Sequence, residues 1–303
     1  MGGCAERIRY GFRVMANDGS VRAGGIDWAE HWRHMVLRRD AQTDELQYEA
    51  TRPGADFWQR RAGQFRRRAG QRRAEGPDRF LRHILEYIDA DTTVVDAGAG
   101  VGRLAIPLAA RARRVIAVEP NAAMVGLLRE EVRAAGAGNI EIVPTSWETA
   151  EVGRAGVVLS AHVLYPIAGA AEFLRKLDAS ASRAAFIQLH VEQPDVPAIE
   201  AWRAIRGGER CPQPGFLEAV NLLAQLGIFA AVEYEPAQRS WRYATFEEAF
   251  EDLRDRLVLR PGTPEAAELA DLVRSRLRPI EDELAFETVY LHAGTAWWEK
   301  RGQ

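Results

Sequence analysis

The sequence predicts an α/β protein built on an open, doubly wound, largely parallel sheet, and three observations predict it. Short apolar runs alternate with helical stretches through the middle of the chain. The first run ends in an acid and opens into glycines at every second position. The second run ends in another acid, Glu119, 17 residues after the last of those glycines, Gly102. Strands buried on both faces read as continuous apolar runs, which is how these read.

Strands are expected at 93–96, 115–119, 140–144, 157–161 and 184–189. Helices are expected between them at 103–112, at 122–135 with Asn121 as N-cap, and at 170–177, followed by 216–226 with Gly227 as its stop. Further apolar stretches at 228–234 and 288–292 flank two capped helices, expected as an insertion at about 245–278. Thr245 with Glu248 reads as a capping box there, and Thr263 with Pro264 as an N-cap and first-turn proline. Upstream, 1–27 lacks periodicity and is expected to be a flexible extension, with Met15 as an alternative start. Residues 28–76 are expected to form a helical cap, in which Phe57, Trp58, Arg61 and Phe65 share a face. Residues 77–303 are expected to form the ligand-binding domain.

The 303 residues carry 40 basic and 43 acidic side chains, so the overall charge calls for neither a nucleic acid nor a membrane surface as partner. Cys4 and Cys211 stand far apart without metal-binding or disulfide spacing, which points to a reducing cytoplasm. Glu6 stands where a myristoylation site needs Ser or Thr. The longest uncharged stretch, 155–171, contains His162, Pro166 and two glycines and is too short for a membrane span. Seven arginines between Arg60 and Arg73 permit a nucleic-acid contact, but a solvated helix face balanced by acids elsewhere explains them better.

The chemistry concentrates at Asp96, Gly98, Ala99, Gly100 and Gly102. Glycines here allow a tight turn and let a ligand lie against the backbone. A dinucleotide fingerprint would place its third glycine at 103, where this chain has Arg103. A pyrophosphate is also poorly served by a carboxylate beside it, whereas a ligand carrying an ammonium and a sulfonium is well served by Asp96. S-adenosylmethionine (SAM) is such a ligand. Glu119, at the end of the second strand, can accept hydrogen bonds from both hydroxyls of a ribose.

These segments resemble the first two motifs of the class I SAM-dependent methyltransferases, over roughly residues 93–190. The resemblance implies a Rossmann-like fold, SAM as cofactor and methyl transfer. It also implies a cofactor site made of Asp96, Gly98, Ala99 and Gly100, of Glu119 and Pro120 at the ribose, and of Ser146 and Trp147 about the adenine. Ala161 would flank the methionine portion, and Trp58 would make a lid contact. Ordinary packing under a loop is the other reading of Trp147.

His162 and His190 each directly follow an expected strand, and open α/β sheets bind ligands at the carboxyl ends of their strands. With Tyr165 they form the candidate catalytic group, as imidazoles able to take a proton from an acceptor or as hydrogen-bonded structural residues. The Asn/Asp-Pro-Pro-aromatic element of nucleic-acid amino-methyltransferases is absent, because Ser160-Ala161-His162-Val163 stands there. No metal site is expected: His31 and His34 lack further donors, and no carboxylate lies in 157–165. The expected function is methylation of a small-molecule acceptor in the cytoplasm. The alternatives are an RNA or protein methyltransferase and a SAM-binding module without catalysis, while Arg103 opposes a nicotinamide oxidoreductase. The oligomeric state stays open.

Overall fold

A computed structural model describes residues 25–44, 46, 66, 67, 70 and 76–300. Helices α1 (Trp28–Asp44) and α2 (Arg79–Leu85) come first. The alternating core follows: β1 (Thr93–Ala97), α3 (Ala105–Ala109), β2 (Arg114–Val118), α4 (Ala122–Ala134), β3 (Ile140–Val143), β4 (Ala155–Ala161), α5 (Ala170–Ser180) and β5 (Ala181–His190). Next come α6 (Val196–Arg206), α7 (Phe216–Gln225) and β6 (Ala231–Arg239). Between β6 and the last strand, β10 (Val289–Glu299), lie β7 (Arg242–Tyr243), α8 (Phe246–Arg256), α9 (Pro264–Arg276), β8 (Arg278–Ile280) and β9 (Glu283–Ala285).

The main sheet has seven strands in the order β3-β2-β1-β4-β5-β10-β6. Strands β1 to β5 pair in parallel, and β10 runs antiparallel to both β5 and β6. The order reverses between β1 and β4, and the carboxyl ends of strands at such a reversal are where open α/β sheets bind ligands. Side-chain alternation sends Val94, Val157, Leu159 and Phe186 to one face, against α2 and α3. It sends Val95, Ala97, Val158, Ile187 and Leu189 to the other, against α5 and α7. Gly294 is required in β10, because a β-carbon there would stand 2.1 Å from the ring of Phe216.

Several elements depart from the sequence expectation. Helix α3 starts two residues late because 101–104 form a turn, with Gly102 at φ 87°. Strand β6 runs on to Arg239 through Pro236, which an edge strand tolerates. Strand β10 continues to Glu299 and carries Trp297 and Trp298 on opposite faces of the sheet. The short strands β7, β9 and β8 make a second, three-stranded sheet that no periodicity announced. Trp202 and Trp241 are buried in a separate core with α6, α8 and α9.

Helix α1 packs against α5 and α7 through the buried Trp32 and Val36. The Trp32 indole donates to the carbonyl of Ile167 at 2.8 Å. Arg39 donates to the carbonyl of Cys211 at 2.6 Å and pairs with Asp195, five residues past His190. A helix remote in sequence thus ties the loop after β4 to the loop after β5. Arg66 and Arg67 belong to the arginine run, and both are matched by acids: Arg66 by Glu130 and Glu131, Arg67 by Glu248 and Glu283. Among the described residues no helix is long and apolar enough to cross a membrane.

Candidate active site

The loop after β1 turns through three glycines with positive φ, Gly98 at 88°, Gly100 at 56° and Gly102 at 87°. The positive φ favours glycine at all three, and at two of them a β-carbon would also be crowded. A β-carbon at Gly98 would stand 2.3 Å from Val163 in the loop after β4, and one at Gly102 would stand 2.7 Å from Leu128 of α4. Gly100 differs, since a β-carbon there would meet open space. The backbone N–H groups of Gly98 and Ala99 donate to the carbonyl of Val118, at 2.9 and 3.0 Å, so the loop is clamped to the end of β2.

Glu119 closes that clamp. One carboxylate oxygen accepts the N–H of Gly100 and the other the N–H of Asn121, both at 2.9 Å. A carboxylate offers about four lone-pair sites, so two remain for further donors. Burial pushes the Glu119 carboxyl above its usual value, and the two N–H bonds oppose that shift. Asp96, at the end of β1 and only 2% exposed, is pushed up to about 7. Burial is the main cause, the Arg103 guanidinium opposes it, the charge of Glu119 adds to it, and a hydrogen bond from the N–H of Ala105 lowers it.

The ends of β4 and β5 bring His162, Tyr165 and His190 together. The two imidazoles stack with centroids 4.4 Å apart and planes 27° from parallel. The Tyr165 oxygen lies 3.0 Å from His162 Nδ1 and accepts the backbone N–H of His190 at 2.8 Å. His162 has φ 60°, a left-handed conformation that costs a non-glycine residue about 1–3 kcal/mol and is held here by its N–H bond to the Gln188 carbonyl at 2.8 Å. His190 is buried, and His162 and Tyr165 are half-buried.

Comparison with known proteins is consistent with this geometry. The family described as the TRM5/TYW2 methyltransferase domain matches residues 79–211, somewhat less than half of the chain. The fold is that of the YcgJ protein of Bacillus subtilis, superposed with a TM-score of 0.50 over 74% of this chain and 98% of that one, at 11% identity. Over residues 79–211 the chain is thus similar to a methyltransferase domain, and it carries that domain on a Rossmann-like fold. A curated relative, "Probable ribosomal RNA small subunit methyltransferase A" of Methanosphaera stadtmanae, is 37% identical over 68 residues, which is 22% of this chain. The match spans a quarter of that relative's length.

In this methyltransferase the residues at the β1 and β2 ends fit the cofactor. Open space adjoins Gly100, Glu119 retains acceptor capacity beside it, and Asp96 supplies a carboxyl that a nearby cation would ionise. Exposed Pro120 follows Glu119 and leads into Asn121, whose side chain caps α4. Half-buried Ala161 ends β4, and Ser146 lies in the loop after β3, with its hydroxyl 3.1 Å from that of Thr149. Trp147 is a core residue, the packing alternative of the two that the sequence left open. Its indole N–H donates to the Phe173 carbonyl at 3.2 Å, Lys176 lies 4.9 Å from the ring centroid, and the side chain is only 3% exposed. Trp58 lies outside the described residues. Val163 and the Arg39–Asp195 pair escaped the sequence reading: Val163 and Asp195 had only their positions past a strand as a signal, and Arg39, within α1, had none. Among the described residues no group of three or more metal-ligating side chains gathers.

Proposed function

We propose that this methyltransferase methylates a small-molecule acceptor at the carboxyl edge of its sheet, in the cytoplasm. The grouping of His162, Tyr165 and His190 beside the glycine loop carries the reading. Bound SAM supplies a methyl carbon made electrophilic by its sulfonium. Glu119 and the turn at Gly98 to Gly100 hold and orient the ribose and methionine portions, and Asp96 balances their positive charge. The histidine pair orients the acceptor and removes its proton. The bond from Trp32 to Ile167 and the pairing of Arg39 with Asp195 brace the loops after β4 and β5 from outside, an arrangement suited to an enclosed acceptor. The test is formation of S-adenosylhomocysteine from SAM across a panel of metabolites carrying hydroxyl, amino or thiol groups. Acceptor-dependent turnover supports the proposal, and its absence across all three classes counts against it.

A second reading, methylation of RNA, is favoured by the TRM5/TYW2 match and by the name of the archaeal relative. Against it stand the near-neutral overall charge and the acids paired with Arg66 and Arg67. A filter-binding titration with total RNA at two salt concentrations separates the readings, since phosphate contacts weaken steeply with salt.

A further inference from the structure

We infer that the amino edge of the main sheet holds a second ligand site, apart from the cofactor and histidine residues, that takes a phosphate group. A cavity of about 410 Å³ opens there, lined by the cations Arg113, Arg154, Arg183 and Lys300. Arg113 immediately precedes β2, Arg154 precedes β4 and Arg183 is the third residue of β5. Lys300 follows β10, whose antiparallel course against β5 brings its end to this edge. The strand order β2-β1-β4-β5-β10 therefore sets the four in a row. At about 5 Å per strand, their backbones span roughly 20 Å.

Two of these charges are already matched. Arg183 lies 3.1 Å from Asp89, and Lys300 lies 2.6 Å from Asp178. The exposed guanidinium of Arg113 donates to the Thr93 hydroxyl at 3.2 Å, and that of Arg154 to the Ala181 carbonyl at 3.5 Å. Among the described residues neither of these two arginines forms an ion pair, and Asp91, the one acid lining the cavity, pairs with none of the four cations. A guanidinium carries five N–H donors in a planar fork, so both keep donors for a ligand. The Thr93 hydroxyl accepts from Arg113 and retains its own hydrogen to donate.

Two forks reaching one cavity from different strands suit a tetrahedral group whose oxygens point several ways. A carboxylate brings one charge and two coplanar oxygens, whereas a phosphate monoester brings nearly two charges and three acceptor oxygens. The volume falls within the range of about 300–1,000 Å³ usual for small-molecule sites, so more than a bare phosphate fits. Seven residues of β5 lie between this edge and His190, roughly 20–25 Å of extended strand. A ligand bound here touches neither the glycine loop nor the histidines, and the inference does not depend on what the carboxyl edge binds.

Calorimetric titration of the full chain with inorganic pyrophosphate, and separately with a short oligouridylate, tests the site at low and at physiological ionic strength. The double variant Arg113→Gln with Arg154→Gln is expected to bind about 10-fold more weakly or worse, with an unchanged melting temperature. If the double variant unfolds, Arg154→Gln alone carries the test, since it gives up only the long contact with Ala181. Loss of pyrophosphate affinity assigns a small phosphorylated ligand. Loss confined to the oligouridylate, together with a steep salt dependence, assigns the phosphates of a nucleotide chain. Failure of both probes to bind the parent, or equal affinities in parent and variant, overturns the inference.

Discussion

Val163 packs so closely on Gly98 that a β-carbon on residue 98 would lie 2.3 Å from its Cγ2. The two loops at the reversal of strand order, one after β1 and one after β4, therefore meet at a glycine. Gly98→Ala adds a methyl where there is no room and where φ is 88°, so it is expected to destabilise the protein by roughly 2–4 kcal/mol. Chemical denaturation measures that loss. An alanine variant as stable as the parent would show that the loop contact is not a constraint.

Glu119 connects the glycine loop to α4 through the N–H groups of Gly100 and Asn121. Glu119→Ala is expected to weaken SAM binding by about 2–3 kcal/mol, through lost charge-assisted hydrogen bonds. Glu119→Gln should lose less, because its amide oxygen can still accept one of the two N–H bonds. Calorimetric titration separates the three proteins, and equal affinities would remove Glu119 from the cofactor site.

Asp96 makes a prediction in pH. Its carboxyl titrates at about 7 in the fold, against a usual value of 3.8. Between about pH 4 and pH 7 the native state thus holds more protons than the unfolded chain, and the contribution of this group to stability falls as pH rises through that window. Asp96→Asn removes that slope. It is expected to be more stable than the parent at pH 8, by roughly 2–4 kcal/mol in the absence of cofactor, and to bind SAM more weakly. Thermal unfolding from pH 5 to pH 8 checks the first part. A parent and variant whose difference does not change with pH would contradict it.

The strands of the core were legible because each is a short apolar run, and all but the edge strand β3 are largely buried on both faces. Asp96 and Glu119 were legible because each ends such a run. What escaped has tertiary causes. Trp147 follows a strand where an adenine contact would also sit, and only α5, through Phe173 and Lys176, draws it into the core. Strand β6 contains Pro236, Glu233 and Glu235, which argue against a strand until its place at the sheet edge is known. Strands of two or three residues, such as β7 and β9, carry no period at all. His162 and His190 could each be placed at a strand end, but their stacking depends on parallel pairing of β4 with β5, which also sets Ala161 opposite Gln188.

His162 and His190 are expected to respond differently to the same substitution. With a verified acceptor, His162→Gln is expected to lower turnover by about 100-fold or more while leaving SAM affinity unchanged. His190→Gln removes a stacking partner and should cost stability as well as rate. Paired measurements of kcat, cofactor affinity and melting temperature distinguish the two. A His162→Gln variant that turns over at the parent rate would deprive the pair of a role in proton removal.

Cofactor binding decides whether the site at the glycine loop belongs to SAM. Melting temperature is followed as S-adenosylhomocysteine, SAM, NAD or NADP is added to the full chain, because a ligand that binds the native state raises its stability. S-adenosylhomocysteine and SAM are expected to raise the midpoint in a concentration-dependent way that Glu119→Ala diminishes, with little effect from NAD or NADP. Stabilisation by NAD without stabilisation by S-adenosylhomocysteine would contradict the assignment of the site at Gly98, Gly100 and Glu119 to SAM.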